Sequence, residues 1–167
     1  NNLAILGGAT AKKRIGRHIV TTAVEHSSVQ AAMAELEGEG WEITRLLPDA
    51  SGMITPEQVW DACRKDTMMV SVMMVNNETG ARFAIERMIP GIRKISPQAL
   101  IHCDGVQAAG KLPLNLTRLG ADLVSVSGHK LHAPKGVGLL YIRRGGRVLP
   151  RTFGGEQESG IRSGTES

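Results

Sequence analysis

Cysteine and aromatic residues are scarce in this chain. The two cysteines, Cys63 and Cys103, cannot build a disulfide framework, and there is no CxxC pair. A reducing, cytoplasmic setting is the expectation. Aromatic residues make up 3% of the sequence, which leaves no stacking platform for single-stranded nucleic acid, so no nucleic-acid partner is expected. No stretch reaches the roughly 18 apolar residues that a membrane span needs, so no membrane partner is expected either. The opening residues, Asn1-Asn2-Leu3-Ala4-Ile5-Leu6, lack the basic-then-apolar layout of a signal peptide and carry no initiating Met. They read as the middle of a helix, and the sequence is expected to be the central piece of a longer protein. Charge of one sign is also modest, at a formal net +4. Arg143, Arg144, Arg147 and Arg151, interleaved with Gly145 and Gly146, read as a solvated turn, or as a contact for an acidic partner or a phosphate.

What is present is ordinary in amount: 167 residues, 41% hydrophobic and 22% charged, enough for one globular domain with a sizeable core. Strand and helix patterns alternate along it. Leu3 to Arg14 has helical spacing with a basic end. His18 to Ala23 is a β-branched strand. Ser27 or Ser28 can cap a helix over Val29 to Glu39 that stops near Gly40. Trp41 to Leu47 alternates as a strand. Thr55 and Pro56 open a helix running to about Arg64. Met68 to Val75 is apolar apart from Ser71 and fits a strand buried on both faces. A helix over Ile85 to Ile95 follows, then strands at Leu100–Cys103, Asp122–Val126 and Gly138–Arg143. The roughly dozen residues before the last strand carry no helical pattern, so that strand is expected to run antiparallel. The pattern predicts a three-layer α/β/α fold with a mostly parallel sheet.

In such sheets ligands bind outside the carboxyl ends of the strands. The predicted strand ends deliver Glu25-His26, Asn76-Asn77-Glu78-Thr79-Gly80, Asp104 with Gln107, and Ser127-Gly128-His129-Lys130. A lysine past one strand and an aspartate past another suit pyridoxal 5'-phosphate: the amine forms a Schiff base with its aldehyde, and the carboxylate keeps its ring nitrogen protonated. Each residue also has a plainer reading. Asp104 and Gln107 have capping-box spacing. His26 fits a satisfied, partly buried histidine. Asn77 fits a turn residue. Lys130 fits a surface charge. Ser127-x-x-Lys130 matches the S-x-x-K string of serine acylases, but that group's companion strings are lacking. His102, Cys103, Asp104, His129 and His132 lack paired zinc spacing, and no metal is expected. Cys103, inside an apolar strand, is expected to be buried and inert.

Seven ordered strings carry a resemblance: Val24-Glu-His26, Val75-Asn-Asn-Glu-Thr-Gly80, His102-Cys-Asp-Gly-Val-Gln107, Gly110-Lys-Leu-Pro113, Ser127-Gly-His-Lys130, Pro134-Lys-Gly-Val-Gly138 and Arg162-Ser-Gly-Thr165. Through them the chain resembles the class V aminotransferase group and, within it, cysteine desulfurases of the NifS and IscS kind. The fold implied is the large domain of the type I, aspartate-aminotransferase-like pyridoxal enzymes. The resemblance implies a catalytic Lys130 holding the cofactor aldehyde and a catalytic His26 stacked on the ring. It implies Asp104 on the ring nitrogen, Asn77 and Gln107 on the phenolic oxygen, and Ser127 and His129 on the phosphate. Thr165 would reach the phosphate across a homodimer interface.

The implied reaction takes L-cysteine to L-alanine and an enzyme persulfide, for a sulfur-acceptor protein in iron–sulfur cluster assembly or thiolation. Three features of the group are not found among these residues: its phosphate loop, expected before Asn1; its persulfide-forming cysteine, expected after Thr165; and its carboxylate-gripping arginine. Residues 1–167 are therefore expected to be part of a cofactor-binding large domain, with the phosphate loop and a C-terminal small domain outside them. His132-Ala133 stands where many relatives have Tyr-Gly, which is expected to alter pocket edges and not the reaction. The rival readings are a selenocysteine lyase, another class V transaminase, or a non-catalytic piece serving as a dimerising scaffold.

Overall fold

The computed structural model of the chain describes residues 1–165. A π-helical turn, Leu3–Gly7, runs directly into α1 (Gly8–Lys12). There follow β1 (His18–Thr22), α2 (Ser27–Gly38), β2 (Glu42–Leu46), α3 (Pro56–Ala62), β3 (Thr67–Ser71), α4 (Ile85–Ile95), β4 (Leu100–Asp104), α5 (Leu116–Leu119), β5 (Leu123–Ser127) and β6 (Gly138–Ile142). Short 3₁₀ turns lie at Gly128–Leu131 and Gln157–Gly160.

The strands form one six-stranded sheet in the order β2-β1-β3-β4-β5-β6. All neighbours are parallel except β5 and β6, so the last strand is antiparallel as its short connection requires. Two apolar layers cover the sheet. On one face Val59 of α3 and Met88 and Ile92 of α4 pack on Val20, Val70, Ile101, Cys103 and Val124. On the other, Ala4, Ile5 and Ala9 of the first helical segment and Val29, Met33 and Leu36 of α2 pack on Ile19, Met69, Leu100 and Leu123. This is the expected three-layer arrangement. The alternation of pleated side chains then fixes the direction of the polar residues. Leu100, His102 and Asp104 share the α2 face of β4. Leu123, Ser125 and Ser127 share the same face of β5.

Several elements depart from the sequence pattern. The run is buried from Met68 to Met74 and half-buried at Val75, yet β3 ends at Ser71. Beyond it the backbone keeps only spaced bonds to β4, from the Val72 N–H to the His102 carbonyl and from the Met74 N–H to the Asp104 carbonyl. The continuous apolar pattern reports burial on both sides and does not mark where the ladder stops. The first helix is broken into π and α segments, and it lies against the chain near Leu149: a Cβ on Gly7 would sit 2.4 Å from the Leu149 carbonyl oxygen. Helix α2 is capped by neither serine. The side chain of His26 accepts from the Ser28 N–H instead. Helix α3 does open as expected, with Thr55 and Gln58 forming a full capping box and Pro56 in the first turn. It stops at Ala62, short of Arg64.

Candidate functional site

Strands β2 and β3 both flank β1, so the chain reverses direction across the sheet between β1 and β3. Loops diverge at such a switch point and leave a crevice at the carboxyl edge. A cleft of about 420 Å³ lies there, lined by Glu25, His26, Asn76, Asn77, Thr79 and Phe83 among others. A wider depression of about 760 Å³ lies at the opposite, amino edge, between Lys12, Arg93, Asp122, Arg143 and Arg144. It contains none of the residues that the resemblance assigns to the cofactor. In it Arg93 donates to Asp122 Oδ2 at 2.6 Å, and Arg143 stands 3.6 Å from Asp122 Oδ1.

Asp104 closes β4 with only 4% of its surface exposed. It caps no helix. Its Oδ1 accepts the Val106 N–H at 3.0 Å in a turn, so the capping-box reading with Gln107 is incorrect. Its Oδ2 accepts from Asn1 Nδ2 at 2.7 Å. Beneath it His102 is fully enclosed between two hydroxyls, with Nδ1 2.8 Å from Ser71 Oγ and Nε2 2.9 Å from Ser125 Oγ. Burial pushes the His102 pKa down to about 3, so the ring is neutral and ties β3, β4 and β5 together as a floor.

The other predicted residues come off the same edge. Asp104 stands opposite Ser125 in the parallel register, and Ser127 follows on the same face of β5. Ser127 Oγ and His129 Nδ1 are 2.7 Å apart, and Lys130 follows, exposed, in the 3₁₀ turn Gly128–Leu131. Gln107 is half-buried and its Oε1 accepts from Lys111 Nζ at 2.9 Å. His26 is exposed on the cleft and is not a buried structural histidine. The turn role predicted for Asn77 belongs to Asn76, whose Oδ1 accepts from the Glu78 N–H, the Thr79 N–H and the Thr79 hydroxyl. Asn77 is left exposed on the cleft wall. Thr165 is exposed at the end of the described residues, after the buried Ser163, whose hydroxyl donates to the Gly155 carbonyl. Among the described residues no three His, Cys, Asp or Glu side chains gather as a metal set.

Comparison with known proteins identifies the family. The aminotransferase class-V profile matches residues 1–165. The chain belongs to the aminotransferase class-V family. A protein of Trichormus variabilis named cysteine desulfurase 2 is 47% identical over 167 residues, covering all of this chain and 41% of that protein. A cysteine desulfurase IscS of Dictyoglomus turgidum is 44% identical over 169 residues, covering all of this chain and 42% of that protein. The chain thus spans about two-fifths of the length of these relatives. Among solved structures, a NifS-like protein superposes with a TM-score of 0.94 at 37% identity, over 99% of this chain and 45% of its own. SspA, solved in complex with cysteine, superposes at 0.89 with 34% identity, over 99% of this chain and 48% of its own. These likenesses place the chain in the type I pyridoxal-enzyme fold that the pattern of strings implied.

Within this class-V fold three polar residues at the carboxyl edge, Glu25, Asn1 and Ser28, make contacts that the sequence pattern did not assign to them. Glu25 lies just before α2. It is almost wholly buried, its Oε1 accepting from the Thr22 hydroxyl at 2.8 Å and from the Met73 N–H at 2.9 Å. Burial raises its pKa to about 8, against the pull of those two donors, and the nearby Asp104 adds to the rise. Its Oε2 is buried with no partner among the described residues, as suits a carboxyl that keeps its proton. Asn1 and Ser28 meet only on folding, 27 residues apart, where Asn1 Nδ2 donates to Ser28 Oγ at 2.8 Å. No local spacing signals such a contact.

Proposed function

We propose that the protein is a pyridoxal-phosphate-dependent cysteine desulfurase and that residues 1–167 form part of its cofactor-binding large domain. The observation that carries the reading is the buried carboxyl of Asp104, in register with the strand whose exit bears Ser127, His129 and Lys130. The donor set fits the cofactor. A desolvated carboxylate answers a protonated ring nitrogen, a paired hydroxyl and imidazole answer a phosphate, and an exposed amine answers an aldehyde. Asn1 Oδ1, buried beside Asp104 without a partner, marks a polar spot that the described residues leave incomplete.

In this reading Asp104 holds the ring nitrogen, Asn77 and Gln107 the phenolic oxygen, and Ser127 and His129 the phosphate, with Thr165 added across a homodimer. Lys130 holds the aldehyde through its Nζ, and Lys130 and His26 carry protons to and from the substrate. When bound, the cofactor supplies an electron sink for substrate carbanions. The family likeness and the cysteine complex of SspA support L-cysteine as substrate and L-alanine as product. The sulfur passes to a thiol as a persulfide and on to an acceptor protein, in the cytoplasm. That thiol is neither of this chain's cysteines. Cys63 is 8% exposed with its pKa pushed by burial up to about 11, and Cys103 is fully buried and pushed higher still.

The test is alanine formation from L-cysteine by the intact protein, with and without Lys130→Ala. Lys130-dependent alanine supports the reading. Alanine from L-selenocysteine alone moves it to a selenocysteine lyase, and no alanine from either overturns it.

A further inference from the structure

We infer that Ser28 is a positioning residue that fixes His26 in a single neutral tautomer, with its proton on Nε2. The inference rests on the role proposed for His26 above. His26 is the N-cap of α2, and its Nδ1 lies 3.2 Å from the Ser28 backbone nitrogen. A backbone N–H only donates, so Nδ1 is the acceptor and carries no proton. The Ser28 hydroxyl lies 2.9 Å from the same nitrogen. Its direction is set from the other side of the site. Asp104, as a carboxylate, only accepts, so the Asn1 amide must turn Nδ2 toward it, at 2.7 Å. The second hydrogen of that amide goes to Ser28 Oγ at 2.8 Å. Ser28 Oγ therefore accepts from Asn1, and its own hydrogen is free to go to His26 Nδ1.

The result is an ordered chain from Asp104 through Asn1 and Ser28 to His26, in which each donor is determined by its neighbour. The chain holds Asn1 Oδ1 in a buried place with no partner among the described residues. An amide chosen for stability alone would not strand its acceptor there. With Nδ1 occupied by Ser28, His26 meets the cleft through Nε2–H, the ring edge not committed to the helix. The histidine thereby acts on the cleft as an N–H donor in its neutral form, and the same network that orients the ring also braces Asp104.

The test is a two-bond ¹H–¹⁵N correlation spectrum of the intact protein labelled with ¹⁵N-histidine. The wild type is expected to show His26 with one unprotonated nitrogen, Nδ1, and one protonated nitrogen, Nε2, without averaging. Ser28→Thr keeps the hydroxyl and should keep that pattern. Ser28→Ala removes one donor and should move the Nδ1 signal. Ser28→Pro, in the first helical turn where proline is tolerated, removes both donors and should leave the two nitrogens averaging between tautomers. A wild-type His26 that already averages, or that carries its proton on Nδ1, overturns the inference, as does an Nδ1 signal unmoved in Ser28→Ala. The assignment of Lys130 is read separately, by cofactor attachment. A fixed tautomer in a protein that binds no cofactor would sink the proposed function and leave this inference standing.

Discussion

At the scale of single residues, the carboxyl edge is built from polar groups whose environments differ sharply. Asp104 accepts two hydrogen bonds and is held in place, whereas Glu25, a few residues before α2, accepts both of its bonds on one oxygen. The raised pKa of Glu25 has a consequence for stability. The folded state keeps this proton up to about pH 8, while an unfolded glutamate loses it near 4.5. Between those values the folded state binds more protons, so stability falls as pH rises and levels off above about 8. At about 1.4 kcal/mol per unit, the loss is on the order of a few kcal/mol. Thermal melting of the intact protein from pH 5 to 8 should show that decline, and Glu25→Gln should flatten it. An unchanged slope in the variant would assign the decline to other groups. Replacing Asp104 with Ala should reduce turnover by about 10²-fold while most of the cofactor stays attached, because a charge-stabilising group is lost and the covalent anchor is not. Equal loss of attachment and turnover would make Asp104 a binding group only.

At the scale of elements, the sequence was informative wherever local chemistry ends a segment. The Thr55-Pro56 opening, the apolar face of Ile85–Ile95 and the antiparallel last strand could be read from a few neighbouring residues. Burial was legible along Met68–Val75, but the end of β3 was not, because backbone bonding to β4 beyond Ser71 depends on strand register. The α2 cap was missed because two serines satisfy the usual preference, and the imidazole of His26 competes only in three dimensions. Helix packing shows the same limit. The Trp60 indole donates to the Met88 carbonyl at 2.8 Å, and a Cβ on Gly91 would sit 2.2 Å from Trp60 Nε1. Gly91→Ala should therefore force α3 from α4 and cost about 1–3 kcal/mol in denaturant unfolding. Thr55→Ala should cost about 1 kcal/mol through its lost cap, with an unchanged slope against denaturant. A Gly91→Ala variant as stable as the wild type would contradict the packing described for α3 and α4.

At the scale of the whole molecule, strand order brings scattered residues to one edge of the sheet. Positions 26, 77, 104 and 127–130 lie far apart in sequence, and their common property is that each closes or follows a strand of one sheet. That property could be read from alternating strand and helix patterns. The Asn1–Ser28–Asp104 contacts could not, because they depend on how the first helical segment and α2 pack on the same face. Thr165 belongs to this scale too, since its proposed phosphate contact crosses between subunits. Mixed dimers of Lys130→Ala and Thr165→Ala subunits of the intact protein should then contain one site with both defects and one with neither. Cofactor occupancy near half would be expected, and occupancy unaffected by mixing would rule out a shared site.

The proposed chemistry requires the amine of Lys130 to carry the cofactor. Borohydride reduction of the intact, cofactor-loaded protein, followed by peptide mass mapping, reads this directly. The pyridoxyl group is predicted on the peptide containing Lys130, and its appearance on Lys111, Lys135 or no lysine at all would contradict the account.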